Sequence, residues 1–260
     1  MKQKIILLLL FIFAFSAFTY SDDFSDAMLK AKKNFKSASD KADEKSLVKV
    51  RGEFERILQL KKNVWIVYYY IAYTDYAIST TYMSNQDKDK IKKYTESAFD
   101  MINKSIEINP DFSDSYVLKM NLNFNRWMYE QDKMNEIVAA TNEADEMAKK
   151  LDPENPRYYL TQGASSYYTP EMFGGGADKA IEYLNKALEL FKTRTEKESY
   201  YPDFGKDMTY AYLSMSYIKR DKDGDKEKAK ESLDKAIELN QDSGFIKVYV
   251  QKLYDDKYKK

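Results

Sequence analysis

The sequence lacks two residue types on which much enzyme chemistry depends: among its 260 residues there is no cysteine and no histidine. Their absence excludes a serine–histidine or cysteine–histidine catalytic pair, a thiol redox centre, a disulfide and a histidine/cysteine zinc site. Glycine and proline are scarce, with eight and five copies, whereas charged residues make up 32% of the chain. This composition favours long solvated helices over a turn-rich sheet protein. We predict a protein that is not an enzyme and that uses no metal and no cofactor.

The first 21 residues have the composition of a secretory signal peptide. Two lysines precede an apolar run over residues 5–18. Thr19 and Ser21 are small residues at the −3 and −1 positions of a signal-peptide cleavage site before Asp22. The run is shorter than the roughly 20 apolar residues that a membrane-spanning helix needs. We predict export to the periplasm or secretion, with residues 22–260 as one domain. Retention of the 1–21 segment as an anchor is the alternative.

Apolar residues recur at steps of three and four along the rest of the chain, a period that predicts an all-α protein. Asn63 is predicted to cap the third helix. The predicted helices cover residues 22–37, 46–60, 64–83, 90–108, 112–129, 134–151, 157–168, 177–193, 207–220, 226–240 and 245–260.

Four of these helices end alike, with a small residue followed three positions later by an apolar one. In three of them the apolar residue is directly followed by Asn or Asp. The endings are Ser105-Ile106-Glu107-Ile108-Asn109-Pro110, Ala148-Lys149-Lys150-Leu151-Asp152-Pro153, Ala187-Leu188-Glu189-Leu190 and Ala236-Ile237-Glu238-Leu239-Asn240. They resemble the second helices of tetratricopeptide repeats (TPRs), in which a small residue lets neighbouring helices approach. Tyr159-x3-Gly163 and Tyr210-x2-Leu213-Ser214-x2-Tyr217 match first-helix positions of that family.

The spacing of the repeats departs from the family. The small residues at the four helix ends are 43, 39 and 49 positions apart, whereas the standard repeat has about 34 residues. The resemblance covers about residues 63–240 and implies a right-handed α-solenoid of about four TPR-like helix pairs with elongated, degenerate repeats. Three further motifs are similar to those of exported bacterial repeat proteins with no assigned activity: Asn155-Pro156-Arg157, Thr169-Pro170 with Phe173–Gly176, and Phe204-Gly205-Lys206.

Three of the eight glycines are consecutive, in Gly174-Gly175-Gly176. We predict a sharply bent, closely packed backbone there, with Phe173 pinned against it. The alternative is a ligand loop at the rim of a pocket walled by Tyr167, Tyr168 and Phe173. A phosphate loop is disfavoured because its Gly-Lys-Ser/Thr ending is absent and Asp178 places an acid in the first turn of the next helix.

Acidic residues are abundant, but none of their patterns satisfies a known site. Asp221, Asp223 and Asp225 alternate as in a calcium loop, yet Lys226 and Ser232 stand where an EF-hand requires glycine and glutamate. Most other acids lie beside lysines, which is typical of a solvated helix face rather than of a pair of catalytic carboxylates.

The 23 tyrosines are the most unusual feature. Three successive tyrosines, residues 68–70, cannot all face one way on a helix, so some line the inner surface or reach solvent. Tyrosine offers a large, stiff contact surface that suits peptides, apolar ligands or sugar faces. The predicted groove or pocket residues are Tyr69, Tyr73, Arg126, Trp127, Arg157, Tyr167, Tyr168 and Phe173.

The leading functional prediction is a noncatalytic binding scaffold of the cell envelope, which holds a protein or peptide partner in an aromatic concave groove. The alternative is a periplasmic protein that binds a small apolar ligand, similar to the helical-repeat T-components associated with TRAP transporters. A closed cavity lined by tyrosine and phenylalanine would favour the alternative. The balance of 42 basic and 42 acidic side chains gives no general attraction to nucleic acid.

Overall fold

The protein is built from helices that follow one another along the chain with short connections. A computed structural model describes residues 23–259, so the predicted signal segment lies outside the described residues. The helices are α1 (Asp23–Asp40), α2 (Glu44–Ile57), α3 (Val64–Thr81), α4 (Lys88–Ile108), α5 (Ser113–Arg126), α6 (Met134–Leu151), α7 (Pro156–Tyr168), α8 (Ala177–Thr193), α9 (Lys206–Arg220), α10 (Asp225–Leu239) and α11 (Gln251–Tyr258), the last preceded by a π-helical stretch, Phe245–Val250.

Successive helices pack against each other as pairs: α1 on α2, α3 on α4, α5 on α6, α7 on α8 and α9 on α10. The pairs stack along the chain, which confirms the predicted all-α helical-repeat solenoid. The described chain holds five pairs rather than about four, because α1 and α2, whose repeat motifs are degenerate, also form a pair. None of the helices in residues 23–259 is long and apolar enough to cross a membrane.

The odd-numbered helices form the inner row of the solenoid. Contacts run from α3 to α5, from α5 to α7 and from α7 to α9, in addition to the contacts within pairs. In a curved array the elements on the inner side lie closest to one another. Side chains on the free faces of these helices therefore look into the concave side.

The small residues of the repeated helix ending do what the motif predicts. All four have no solvent-accessible surface, so each sits where two helices approach. At the end of α6, for example, the carbonyl of Ala148 accepts the last helical hydrogen bond from the N–H of Asp152, at 3.2 Å. The four residues are Ser105, Ala148, Ala187 and Ala236.

The first and last pairs of the array touch each other. The side-chain amide of Asn240, at the end of α10, donates to Asp40 at the end of α1 (2.9 Å) and to Asp207 at the start of α9 (2.6 Å). The solenoid thus curls until its two ends meet, and the inner faces of distant helices are brought opposite one another.

The connection between α8 and α9, residues 194–205, runs across the concave side to α1; we call it the crossing segment. Lys32 of α1 donates to the carbonyls of Ser199 (2.9 Å) and Tyr201 (2.6 Å). The ring of Phe204 stacks on Tyr73 of α3 with centroids 4.7 Å apart. This segment fills the N-terminal half of the concave side with its own aromatic rings.

The predicted capping role of Asn63 is wrong. Its backbone has a left-handed conformation (φ 44°), and its side chain makes no capping hydrogen bond to α3. The side-chain amide instead donates to the hydroxyl of Tyr200 in the crossing segment, at 3.0 Å. A hydrogen bond to a residue 137 positions away in sequence has thus replaced the predicted capping bond within α3.

Candidate functional site

Aromatic rings on the inner row form a continuous strip in the C-terminal half of the concave side. Centroid distances are 5.8 Å from Phe124 to Tyr168, 6.3 Å from Tyr168 to Tyr212, 5.9 Å from Tyr212 to Phe245 and 5.4 Å from Phe245 to Tyr249. These contacts link α5, α7, α9 and the C-terminal helical stretch. Tyr76 of α3 adjoins these rings, because its hydroxyl interacts electrostatically with those of Tyr168 and Tyr212. We call the following set the aromatic strip: Tyr76, Phe124, Tyr167, Tyr168, Tyr212, Phe245 and Tyr249.

Three rings of the strip are open to solvent. Phe124, Tyr168 and Tyr249 are 40%, 48% and 49% exposed, while the other four are half-buried. A single exposed aromatic residue needs no explanation, but a contiguous exposed patch usually marks a binding surface. The strip therefore has the arrangement of a preformed contact surface.

The strip is electrically neutral at physiological pH. Burial raises the pKa of Tyr76 and of Tyr167 to about 12. Burial also raises the pKa of the Tyr168 and Tyr212 hydroxyls, whose rings lie against each other. These four phenols stay protonated, so their part of the surface offers ring faces and neutral hydroxyls rather than phenolate charge.

These shifts predict the response to alkaline pH. A phenol with a raised pKa keeps its proton in the folded state when the unfolded chain, with a pKa of about 10, has lost it. The folded state then binds more protons, so the free energy of unfolding should fall as the pH rises from about 10 towards 12. We expect tyrosinate absorbance to appear in two phases, the later one coinciding with loss of helical circular dichroism. A single phase near the ordinary pKa would contradict the burial of these hydroxyls.

Of the predicted groove residues, Tyr167 and Tyr168 lie in the strip, whereas Tyr69 and Tyr73 do not. Tyr69 is only 2% exposed, and its ring lies against those of Tyr73 and Phe112. Tyr73 is covered by Phe204 of the crossing segment. Both belong to the aromatic packing of the N-terminal half.

Arg157 is a buried structural residue. It is 3% exposed and donates two hydrogen bonds to Asp114, at 2.5 and 3.0 Å. Its third nitrogen lies 2.9 Å from Glu196 of the crossing segment. Burial alone would lower the pKa of Arg157, but the two carboxylates raise it, so the guanidinium stays charged. Arg157 was predicted to contact a ligand; in the structure it instead holds α5, α7 and the crossing segment together.

The other two predicted residues, Arg126 and Trp127, lie at the C-terminal end of α5, beyond Phe124. Arg126 donates to Glu130 at 2.5 Å, so its charge is matched within its own turn. Trp127 is half-buried. They remain candidates for the edge of the strip.

The glycine loop bends as predicted, but Thr169 and Glu171, rather than Phe173, pack against it. A Cβ at Gly175 would lie 2.3 Å from the carbonyl oxygen of Thr169, so only glycine fits there. Phe173 is 72% exposed and Met172 83% exposed. The prediction that Phe173 is pinned against the glycines is therefore wrong.

A cleft of about 230 Å³ lies beside the glycine loop. Its wall is polar and charged, and Tyr167, Tyr168 and Phe173, the predicted pocket wall, are not among its residues. The lining comprises Thr169, Pro170, Glu171, Gly176, Ala177, Asp178, Lys219, Arg220 and Lys222.

Sequence reasoning did not assign Tyr76, Phe124, Tyr212, Phe245 and Tyr249 to the site. Phe124 and Tyr212 lie in odd-numbered helices, at positions that face the concave side. The usable signal was the first-helix motif Tyr159-x3-Gly163, because it identifies which helix of each pair belongs to the inner row.

Comparison with known proteins finds a match to a family model and similarity to solved structures. Residues 209–243, which span α9 and α10, match the family model of the tetratricopeptide repeat. No curated protein matches the sequence at a significant level.

Two solved structures are similar along most of the chain. The HusA haemophore from Porphyromonas gingivalis is 24% identical, with a TM-score of 0.63 over 74% of this chain and 92% of its own. A thermophilic TPR protein from Thermus thermophilus is 13% identical, with a TM-score of 0.56 over 88% of this chain and 98% of its own. The family match over residues 209–243 and the two similar structures show that this chain has a TPR-like helical-repeat fold.

Proposed function

We propose that the protein is a noncatalytic binding protein that holds a planar, mainly apolar ligand on the aromatic strip. The observation that carries the proposal is the unbroken series of rings across the inner helices, three of them open to solvent. Aromatic rings favour stacked and edge-to-face contacts, which a flat ring system can make with several of them at once. Similarity to the HusA haemophore supports porphyrins as the first members of this class to test.

The proposed recognition is of the ring system rather than of a metal at its centre. Histidine and cysteine, two common ligands of haem iron, do not occur in the sequence. Tyrosine coordinates iron as phenolate, and burial raises the pKa of the strip tyrosines. A metal-free porphyrin should therefore bind about as tightly as its iron complex.

The crossing segment favours a compact ligand. Tyr201 makes edge-to-face contacts with Trp65 and Phe112, at 5.6 Å each, and Phe204 covers Tyr73. Half of the concave side is thereby occupied, and the open rings are confined to the other half. We propose that binding takes place after export, in the periplasm or outside the cell, as the predicted signal segment implies.

Substitution of Tyr168 tests the proposal. Tyr168→Ala removes a ring that is 48% exposed and central to the strip, so we expect about a tenfold loss of affinity for deuteroporphyrin IX, measured by Soret absorbance. Tyr183→Ala is the matched control, because Tyr183 is a half-buried tyrosine of α8 that lies against Tyr159, outside the strip. Equal losses in both variants, or no binding by the wild type, would rule out the strip as the site.

A protein or peptide partner is the second candidate. The specific observation in its favour is that the inner surface of α1 and α3 already accommodates an extended stretch of chain, the crossing segment. Native mass spectrometry of the protein from its own cell envelope separates the two candidates. A small adduct lost in Tyr168→Ala supports the planar ligand, whereas a second polypeptide supports the scaffold.

A further inference from the structure

One lysine lies at the edge of the aromatic strip. Lys219 is near the end of α9, and its ammonium nitrogen is 4.8 Å from the centre of the Tyr167 ring. The same nitrogen donates to the backbone carbonyl of Tyr167. Tyr167 in turn lies against Tyr168 and Tyr212, with centroids 4.9 and 6.4 Å away. Tyr167 thus lies between the charge of Lys219 and the solvent-exposed ring of Tyr168.

The neighbouring cations are paired with acids, whereas Lys219 has no acidic partner among the residues that the structure describes. Arg220 contacts Asp225 at 2.6 Å and Asp178 at 2.9 Å, and Lys222 contacts Asp178 at 2.9 Å. Within residues 23–259 no carboxylate lies within 4.0 Å of the Lys219 ammonium. Glu171 and Asp178 line the same cleft, but Asp178 is engaged by the two other cations.

We infer that Lys219 binds a carboxylate of the ligand, so that the strip accepts planar aromatic acids in preference to neutral planar molecules. This inference rests on the proposed function. An ammonium has three donors, and the Tyr167 carbonyl uses one of them. A carboxylate at the edge of a ring stacked on Tyr167 and Tyr168 would accept another, and charge-assisted hydrogen bonds of this kind are stronger than neutral ones.

Lys219 also has a structural role, because it binds a carbonyl in the last turn of α7, where cations are favourable. A purely structural role would affect every ligand alike. Recognition of a carboxylate would affect only ligands that carry one. A matched acid and ester therefore separate the two roles.

The experiment compares deuteroporphyrin IX with its dimethyl ester, which has the same ring system without the charges. The purified wild type should bind the diacid about three- to tenfold more tightly than the diester. Lys219→Met should remove that difference, with a loss of affinity for the diacid that exceeds any loss for the diester, and Lys219→Arg should restore most of it. Lys222→Met is the control, because Lys222 lines the same cleft but is paired with Asp178, and it should change either affinity less than about twofold.

The outcomes separate this inference from the proposed function. If the wild type binds both porphyrins equally, or if Lys219→Met weakens both equally, the role of Lys219 is overturned while the strip stands as a site. If the wild type binds neither compound, the proposed function fails, and the inference fails with it. Selective loss of diacid affinity in Lys219→Met alone supports both.

Discussion

Replacing Arg157 with methionine is expected to lower the free energy of unfolding by about 3–5 kcal/mol, the usual effect of removing one partner from a buried ion pair. The substitution keeps most of the packing of the side-chain stem but removes all guanidinium hydrogen bonds. Asp114 is 3% exposed and would lose both of its bonds to Arg157. Glu196 would lose its contact at 2.9 Å. Urea denaturation followed by circular dichroism gives the measurement.

The matched control for Arg157 is Lys192→Met, which breaks the exposed pair with Glu189, whose side chains are 61% and 66% accessible. Pairs of this kind contribute about 0–1 kcal/mol, so this variant should stay close to wild-type stability. A loss below about 1 kcal/mol in Arg157→Met would mean that Asp114 finds new donors. In that case the crossing segment would not depend on this cluster.

The Arg157 cluster also connects stability to the candidate site. Glu196 belongs to the crossing segment, and Arg194 in the same segment pairs with Asp152 at 2.7 Å. These ion pairs hold the start of the segment near α7, and Lys32 holds its middle on α1. The segment is therefore fixed at both sides of the concave surface, which keeps the N-terminal half filled and leaves the aromatic strip as the open half.

The helices and their repeated endings could be predicted from sequence because they depend on local periodicity. The predicted boundaries of α6 and α8 coincide with the observed ones, and the small residues Ala148 and Ala236 are buried as the motif requires. These features need only the 3.6-residue period and the need for close approach between neighbouring helices. The fold class follows from them.

The candidate site was harder to predict because it depends on contacts between residues distant in sequence. Tyr73 and Tyr168 both lie in inner-row helices within tyrosine-rich stretches, yet Phe204 covers one and the other is 48% exposed. The difference arises from where residues 194–205 cross, which local sequence does not encode. Arg157 was misinterpreted for a similar reason: its partner Asp114 is 43 positions away.

Replacing Gly163 with alanine is expected to destabilise the protein by about 1–3 kcal/mol, although alanine normally favours a helix. Gly163 lies in α7, and a Cβ there would be 2.5 Å from Cγ of Leu184, a fully buried residue of α8. The methyl group must push α8 away or force Leu184 out of its rotamer. The change should appear as a lower urea midpoint with an unchanged m-value.

Gly52 provides the control for this expectation within the same chain. It lies inside α2, and a Cβ there would meet only the flexible end of Arg56, at 3.6 Å. Gly52→Ala should therefore stabilise the protein by about 0.5–1 kcal/mol through helix propensity alone. Opposite signs in the two variants would show that close approach of α7 and α8, rather than chain flexibility, is what requires glycine at position 163. Stabilisation by both would mean that this helix pair packs less tightly than the distance to Leu184 implies.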